Sequence, residues 1–126
     1  MERLLWICLA GAVGTGTRYL IALWAAQRFG TVFPHGTVIV NLAGCFAISA
    51  VMQAALVLPW SPTFRSAITI GFLGGLTTYS SFNYETSRLL ETGSPGFAAL
   101  NAMLTIVGGF IAGVLGMVCM KQLLGR

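Results

Sequence analysis

The sequence predicts an all-α integral membrane protein of four transmembrane helices, the third broken mid-membrane. Three observations carry that prediction. The chain of 126 residues is 56% hydrophobic and 8% charged, whereas a soluble domain carries about a quarter charged residues. Its apolar residues gather into four runs, each long enough for the roughly 20 residues that a bilayer crossing needs. Within the third run, glycine, threonine and serine displace the apolar residues. Lipid must therefore solvate most of the exterior, and no stretch is polar enough to form a second, soluble domain.

The whole chain, 1–126, reads as a single four-helix transmembrane domain. The first span covers about 4–26 and closes at Gln27-Arg28, with a loop that ends in Pro34-His35-Gly36. The second covers about 37–58 and is closed by Pro59-Trp60-Ser61-Pro62. The third, about 66–90, begins after Arg65 and fades before Gly93-Ser94-Pro95-Gly96, a proline- and glycine-punctuated turn. The fourth covers about 97–120 and stops at Lys121. Short loops make sequential helices antiparallel. The first apolar run is longer than the core of a removable signal, so it is expected to stay as a span.

The net charge of +4 raises nucleic acid as a partner. The basic residues are scattered singly, however, and form no stripe that tracks a phosphate backbone. They suit helix ends among lipid headgroups. Arg3, Arg65, Lys121 and Arg126 fall on the side of the termini, and Arg28 and Arg88 on the other. Under the positive-inside rule, two arrangements remain open. Either the termini are cytoplasmic, or the chain inserts both ways and can pair with an inverted copy of itself. Cys8, Cys45 and Cys119 sit singly in apolar runs, without metal-ligand spacing or an even count for disulfides. Gly11, Gly14 and Gly16 in the first span, and Gly108, Gly109, Gly113 and Gly116 in the fourth, permit close helix contact in lipid. That contact is expected either within the chain or between copies.

The polar tract Gly71 to Glu85 is where function is expected. Taken as one helix of about 25 residues, the third span would be near 38 Å long against a core of about 30 Å. A break shortens it and frees carbonyls, which a bilayer tolerates only when they are buried in protein or line a wet cavity. Broken transporter helices use such carbonyls to hold ions. The alternative is a continuous helix whose hydroxyls bond back to its own carbonyls. Asn41 places an amide one turn into the second span, as an interhelical link or an ion ligand. Arg18 lies inside the first span, to snorkel or to face a vestibule. Glu85 can pair with Arg88 three residues on, and Tyr79 and Phe82 share a helix face by the same spacing. Lone His35, with no carboxylate pair, Cys/His cluster or phosphate cradle, gives no support to an enzyme.

These residues resemble the Fluc (CrcB) fluoride channels along the whole chain. The resemblance is carried by Gly11-Ala12-Val13-Gly14 through Arg18-Tyr19, by Gly36-Thr37 to Asn41-Leu42-Ala43-Gly44, and above all by Gly71 to Glu85. It implies a bacterial inner-membrane, multi-pass channel that exports fluoride passively and relieves its toxicity. It also implies an antiparallel, dual-topology homodimer with a structural sodium ion held by backbone carbonyls, at positions that match Gly74 and Thr77. Asn41, Tyr79, Ser80, Ser81 and Phe82 match the fluoride pore, Arg18 its entrance, and Glu85 an acidic position beside it. The chain departs from the pattern in two ways. Tyr79 stands for the first pore phenylalanine, and Gly109 and Gly113 stand where relatives carry Ser and Thr, leaving Thr105 as another source of a hydroxyl. The competing classes are a small multidrug transporter, which needs an embedded glutamate in its first span, and a non-transporting assembly subunit. The first span carries Arg18 where the transporter needs its acid.

Overall fold

The computed structural model describes residues 1–125; Arg126, counted above on the side of the termini, lies outside the described residues. The described chain is helical, with turns between helices. Helix α1 is Glu2–Phe29 and α2 is His35–Ala54. Helix α3 spans 62–76, with a π-helical stretch at Ala67–Phe72 between α-helical Pro62–Ser66 and Leu73–Leu76. Helix α4 is Tyr79–Glu91. Helix α5 is Pro95–Leu123, π-helical at Leu104–Gly108. Three of these, α1, α2 and α5, are long and apolar enough to cross a membrane. The third expected span, 66–90, is divided between α3 and α4, with Thr77 and Thr78 in extended conformation between them.

Local chemistry sets the ends. Gly30 takes a left-handed φ of 84° and returns its N–H to Ala26, which stops α1 as a glycine C-terminal cap does. Helix α2 stops at Ala54 rather than near Leu58. Its last turns tighten through Leu56 N–H to Gln53 O and Val57 N–H to Ala54 O, because the residue before Pro59 is disfavoured in helix. Ser61 Oγ accepts the Phe64 N–H at 3.1 Å, with Pro62 at the first helical position, so α3 starts with a capped end.

The glycines set the helix crossings, and they do so within the chain. A methyl group at Gly14 would lie 2.1 Å from Phe72 O, and one at Gly75 would lie 2.5 Å from Gly11 O. Helix α1 thus rests on α3 backbone to backbone. Gly116 does the same for α5 on α2, where a methyl would meet Phe46 O at 2.1 Å. Gly16 has no neighbour within 4 Å and is the glycine of that cluster left free for other contacts. Val40, Leu73 and Leu76 form the buried core, with Ile21, Ala47, Ile68 and Phe72 packed against it. Trp6, Leu20, Phe110 and Leu115 are exposed, as an exterior solvated by lipid requires.

Candidate functional site

The site grows from the two extended residues between α3 and α4. Thr77 N–H and Thr77 Oγ1 both bond back to Leu73 O, at 3.0 and 2.9 Å, and close the last turn of α3. Thr78 leaves the helix, so its peptide groups need partners from elsewhere. Asn41 on α2 supplies both: Nδ2 donates to Thr78 O at 3.0 Å, and Oδ1 accepts the Thr78 N–H at 2.8 Å. A side-chain amide has the same donor and acceptor pair as a peptide, so it can substitute for a missing backbone neighbour. The Thr78 hydroxyl then starts α4, accepting the Ser81 N–H at 3.2 Å and donating to Ser81 Oγ at 3.1 Å. The Ser80 hydroxyl lies 3.2 Å from the same Thr78 oxygen. The close seat of Thr77 on α2 requires Gly44, where a methyl would fall 2.1 Å from Thr77 Cγ2.

The gap leaves acceptors over. Among the described residues, no backbone or side-chain hydrogen bond outside the helices reaches the carbonyls of Gly74 or Thr77. Both residues border a cavity of about 320 Å³, together with Asn41, Thr78, Tyr79 and Thr105. No charged side chain lines that cavity. Among the described residues, no cluster of three His, Cys, Asp or Glu exists to hold a metal. A cation at this place would have to rely on backbone and hydroxyl oxygens, the donors that hard cations prefer.

The two rings expected to share a face do touch, with centroids 5.6 Å apart at 56°. Their surroundings differ sharply. Phe82 is 5% exposed and points into its own chain, whereas Tyr79 is 77% exposed. Ser80 is exposed and Ser81 half-buried. Glu85 takes its hydrogen bond from Thr37 Oγ1 on α2, at 2.7 Å, rather than from Arg88. Its other oxygen, Oε2, is buried without a partner. A cavity of about 590 Å³ opens beside it and is bordered by His35, Thr37, Tyr84, Glu85, Arg88 and Thr92. Arg18 is half-buried on α1 and lines neither cavity.

Three polar residues that belong here were not singled out by the sequence. One is Thr37, which holds Glu85. The other two are Thr86 and Asn101. Asn101, 0% exposed, donates from Nδ2 to Thr86 Oγ1 at 2.9 Å, and that hydroxyl donates to Phe82 O at 2.7 Å. The chain of bonds ties α5 to α4 at the Phe82 carbonyl. Asn101 Oδ1 and Thr105 Oγ1, one turn apart on α5, are buried and unpartnered. The only signal in the sequence was an amide alone in the fourth apolar run.

The family described as "CrcB-like protein, Camphor Resistance (CrcB)" matches residues 5–117. The chain is 47% identical over 125 residues, 98% of both chains, to a "Fluoride-specific ion channel FluC" of Sorangium cellulosum (strain So ce56). A protein of the same name from Anaeromyxobacter sp. (strain K) is 43% identical over 128 residues, covering 99% of this chain and all of its own. Another, from Geobacter sp. (strain M21), is 49% identical over 110 residues, covering 85% of this chain and 87% of its own.

Proposed function

This chain belongs to the CrcB family of membrane ion channels, not of enzymes, and from that premise we propose that it is a fluoride-selective channel exporting fluoride passively from the cytoplasm. The observation that carries the proposal is the extended pair Thr77–Thr78, closed by Asn41 and followed directly by the Tyr79–Phe82 ring pair. Fluoride is small and strongly hydrated. A path for it must replace water with convergent donors and hold it weakly enough for release. Aromatic edges are positive and aromatic faces negative, so ring edges beside amide and hydroxyl donors offer weak stabilisation without a fixed charge. Asn41, Tyr79, Ser80, Ser81 and Phe82 supply that set, with Arg18 and Glu85 as polar support near its ends.

The channel works as an antiparallel, dual-topology homodimer in the bacterial inner membrane, with the break of its third span at mid-membrane. Exposure of Gly74, Tyr79 and Ser80 on one chain supports the dimer, because the free carbonyl and the hydroxyls there find no partner in lipid. The unpartnered carbonyls of Gly74 and Thr77 fit a structural sodium ion, which two inverted copies would surround with four oxygens. When bound, the ion supplies positive charge that offsets acceptor dipoles brought close together.

Liposomes containing the purified protein and loaded with fluoride or chloride test the reading directly with ion-selective electrodes. Rapid loss of fluoride with chloride retained is the expected result. Equal loss of both ions, or loss of neither, overturns it.

A further inference from the structure

The larger cavity, of about 590 Å³, is bounded by the C-terminal end of α1, the 29–36 loop, the start of α2 and the second half of α4. Its charged side chains are Glu85 and Arg88, and its one imidazole is His35. Arg18, the basic residue expected at an entrance, takes no part in it. His35 is fixed by aromatic neighbours, with its ring 5.1 Å from Phe29 and 5.0 Å from Phe33, centroid to centroid. Its Nδ1 is buried and has no partner.

We propose that Arg88 and His35 form an anion-recruiting site at the mouth of this cavity, and that the proton on His35 sets its strength. The ligand class is a small inorganic anion, which is fluoride on the channel reading that this inference rests on. Arg88 contributes a charge that is always present. Histidine is the side chain whose charge ordinarily changes between about pH 5 and 8. The groups around His35 are mixed in sign. From α1, Arg28 lies near, its guanidinium carbon 5.9 Å from the centre of the Phe29 ring. From α4, Tyr84, Glu85 and Arg88 line the same cavity. From α5, Phe97 meets Phe33 at 5.8 Å and brings no charge. Helix α2 begins at His35 with no side-chain cap, so its positive end adds to the field at the mouth. Protonation of His35 adds a cation to the cavity that Arg88 and Glu85 also line, and its mouth becomes more attractive to anions.

One unit charge about 7 Å from an ion in a water-filled mouth raises the local anion concentration roughly two- to threefold. Unitary fluoride currents in planar lipid bilayers, with both chambers at about pH 7.5 and then at about pH 5.5, measure this, because neutral HF that crosses the lipid carries no current. The expected result for the unaltered protein is a roughly two- to threefold rise on acidification. His35→Gln should carry the lower current at both pH values, and His35→Lys the higher current at both. Arg88→Gln should carry less current at both while keeping the rise. A His35→Gln channel that retains the full rise, or a His35→Lys channel that still rises, overturns the assignment. No fluoride current from any variant at either pH overturns the channel reading instead.

Discussion

Replacing Asn41 by leucine separates the backbone role of this residue from any role as an ion ligand. Asn41 is 7% exposed and its amide makes two bonds, to Thr78 O at 3.0 Å and from Thr78 N–H at 2.8 Å. Leucine has a similar volume but neither a donor nor an acceptor, so both peptide groups lose their partners at once. Each buried, unsatisfied backbone group costs about 1–3 kcal/mol, giving a gross loss of about 2–6 kcal/mol. The adjoining cavity of about 320 Å³ admits water, and water bonds are nearly as good as direct ones. The expected loss is therefore near the lower end, about 2–3 kcal/mol. Reversible unfolding in mixed micelles gives the stability change, and hydrogen exchange of the peptide containing Thr78 gives its location. Asn41→Asp keeps an acceptor for the Thr78 N–H but turns a second acceptor toward Thr78 O, so it should fall by a comparable amount. If both variants keep their stability within about 0.5 kcal/mol and their protection at Thr78, and lose only flux, the backbone role is refuted.

Two further outcomes follow from the packing and the gap. Gly14→Ala places a methyl 2.1 Å from Phe72 O and should cost about 1–3 kcal/mol, the usual range for overpacking, read as a lower unfolding midpoint. Gly16→Ala, with nothing within 4 Å, should stay within about 0.5 kcal/mol, and equal losses in the two would refute the backbone contact between α1 and α3. Exhaustive replacement of sodium by a large organic cation should dissociate the dimer in detergent, followed by cross-linking. A dimer that survives it counts against a cation held at Gly74 and Thr77.

Proline, glycine and charge mark several helix ends chemically, although α2 stops at Ala54 rather than near Leu58. The location of the interruption was legible only to within a turn. Glycine is the weakest helix former apart from proline, which draws attention to Gly74-Gly75, yet both remain helical and the extended residues are Thr77 and Thr78. Gly75 is held by its approach to Gly11, and Thr78 is drawn out by Asn41 on another helix. Tertiary contacts decided which residues left the helix, and a local sequence window does not contain them. Thr37, Thr86 and Asn101 were missed for a related reason. A lone hydroxyl or amide in an apolar run looks the same whether it bonds to its own helix or to the next one. The same limit applies to Glu85, for which the spacing offered Arg88 and the fold supplied Thr37.

The ring pair of α4 shows how one spacing can serve two surroundings. Residues three apart on a helix are neighbours, and the rings of Tyr79 and Phe82 do meet, with centroids 5.6 Å apart. Contact between two rings does not require equal burial. Phe82 is enclosed by its own chain and its carbonyl accepts the Thr86 hydroxyl, while Tyr79 stands clear at 77% exposure. Beside it, Gly74 and Ser80 are exposed as well. Hydrocarbon can accept the tyrosine ring but offers no partner for its hydroxyl, the Ser80 hydroxyl or the free carbonyl of Gly74, and such groups are costly to leave unsatisfied there. The chain thus holds a polar surface in place without covering it. Phe82 is fixed from within, and the setting of Tyr79 depends on the surface that meets this face.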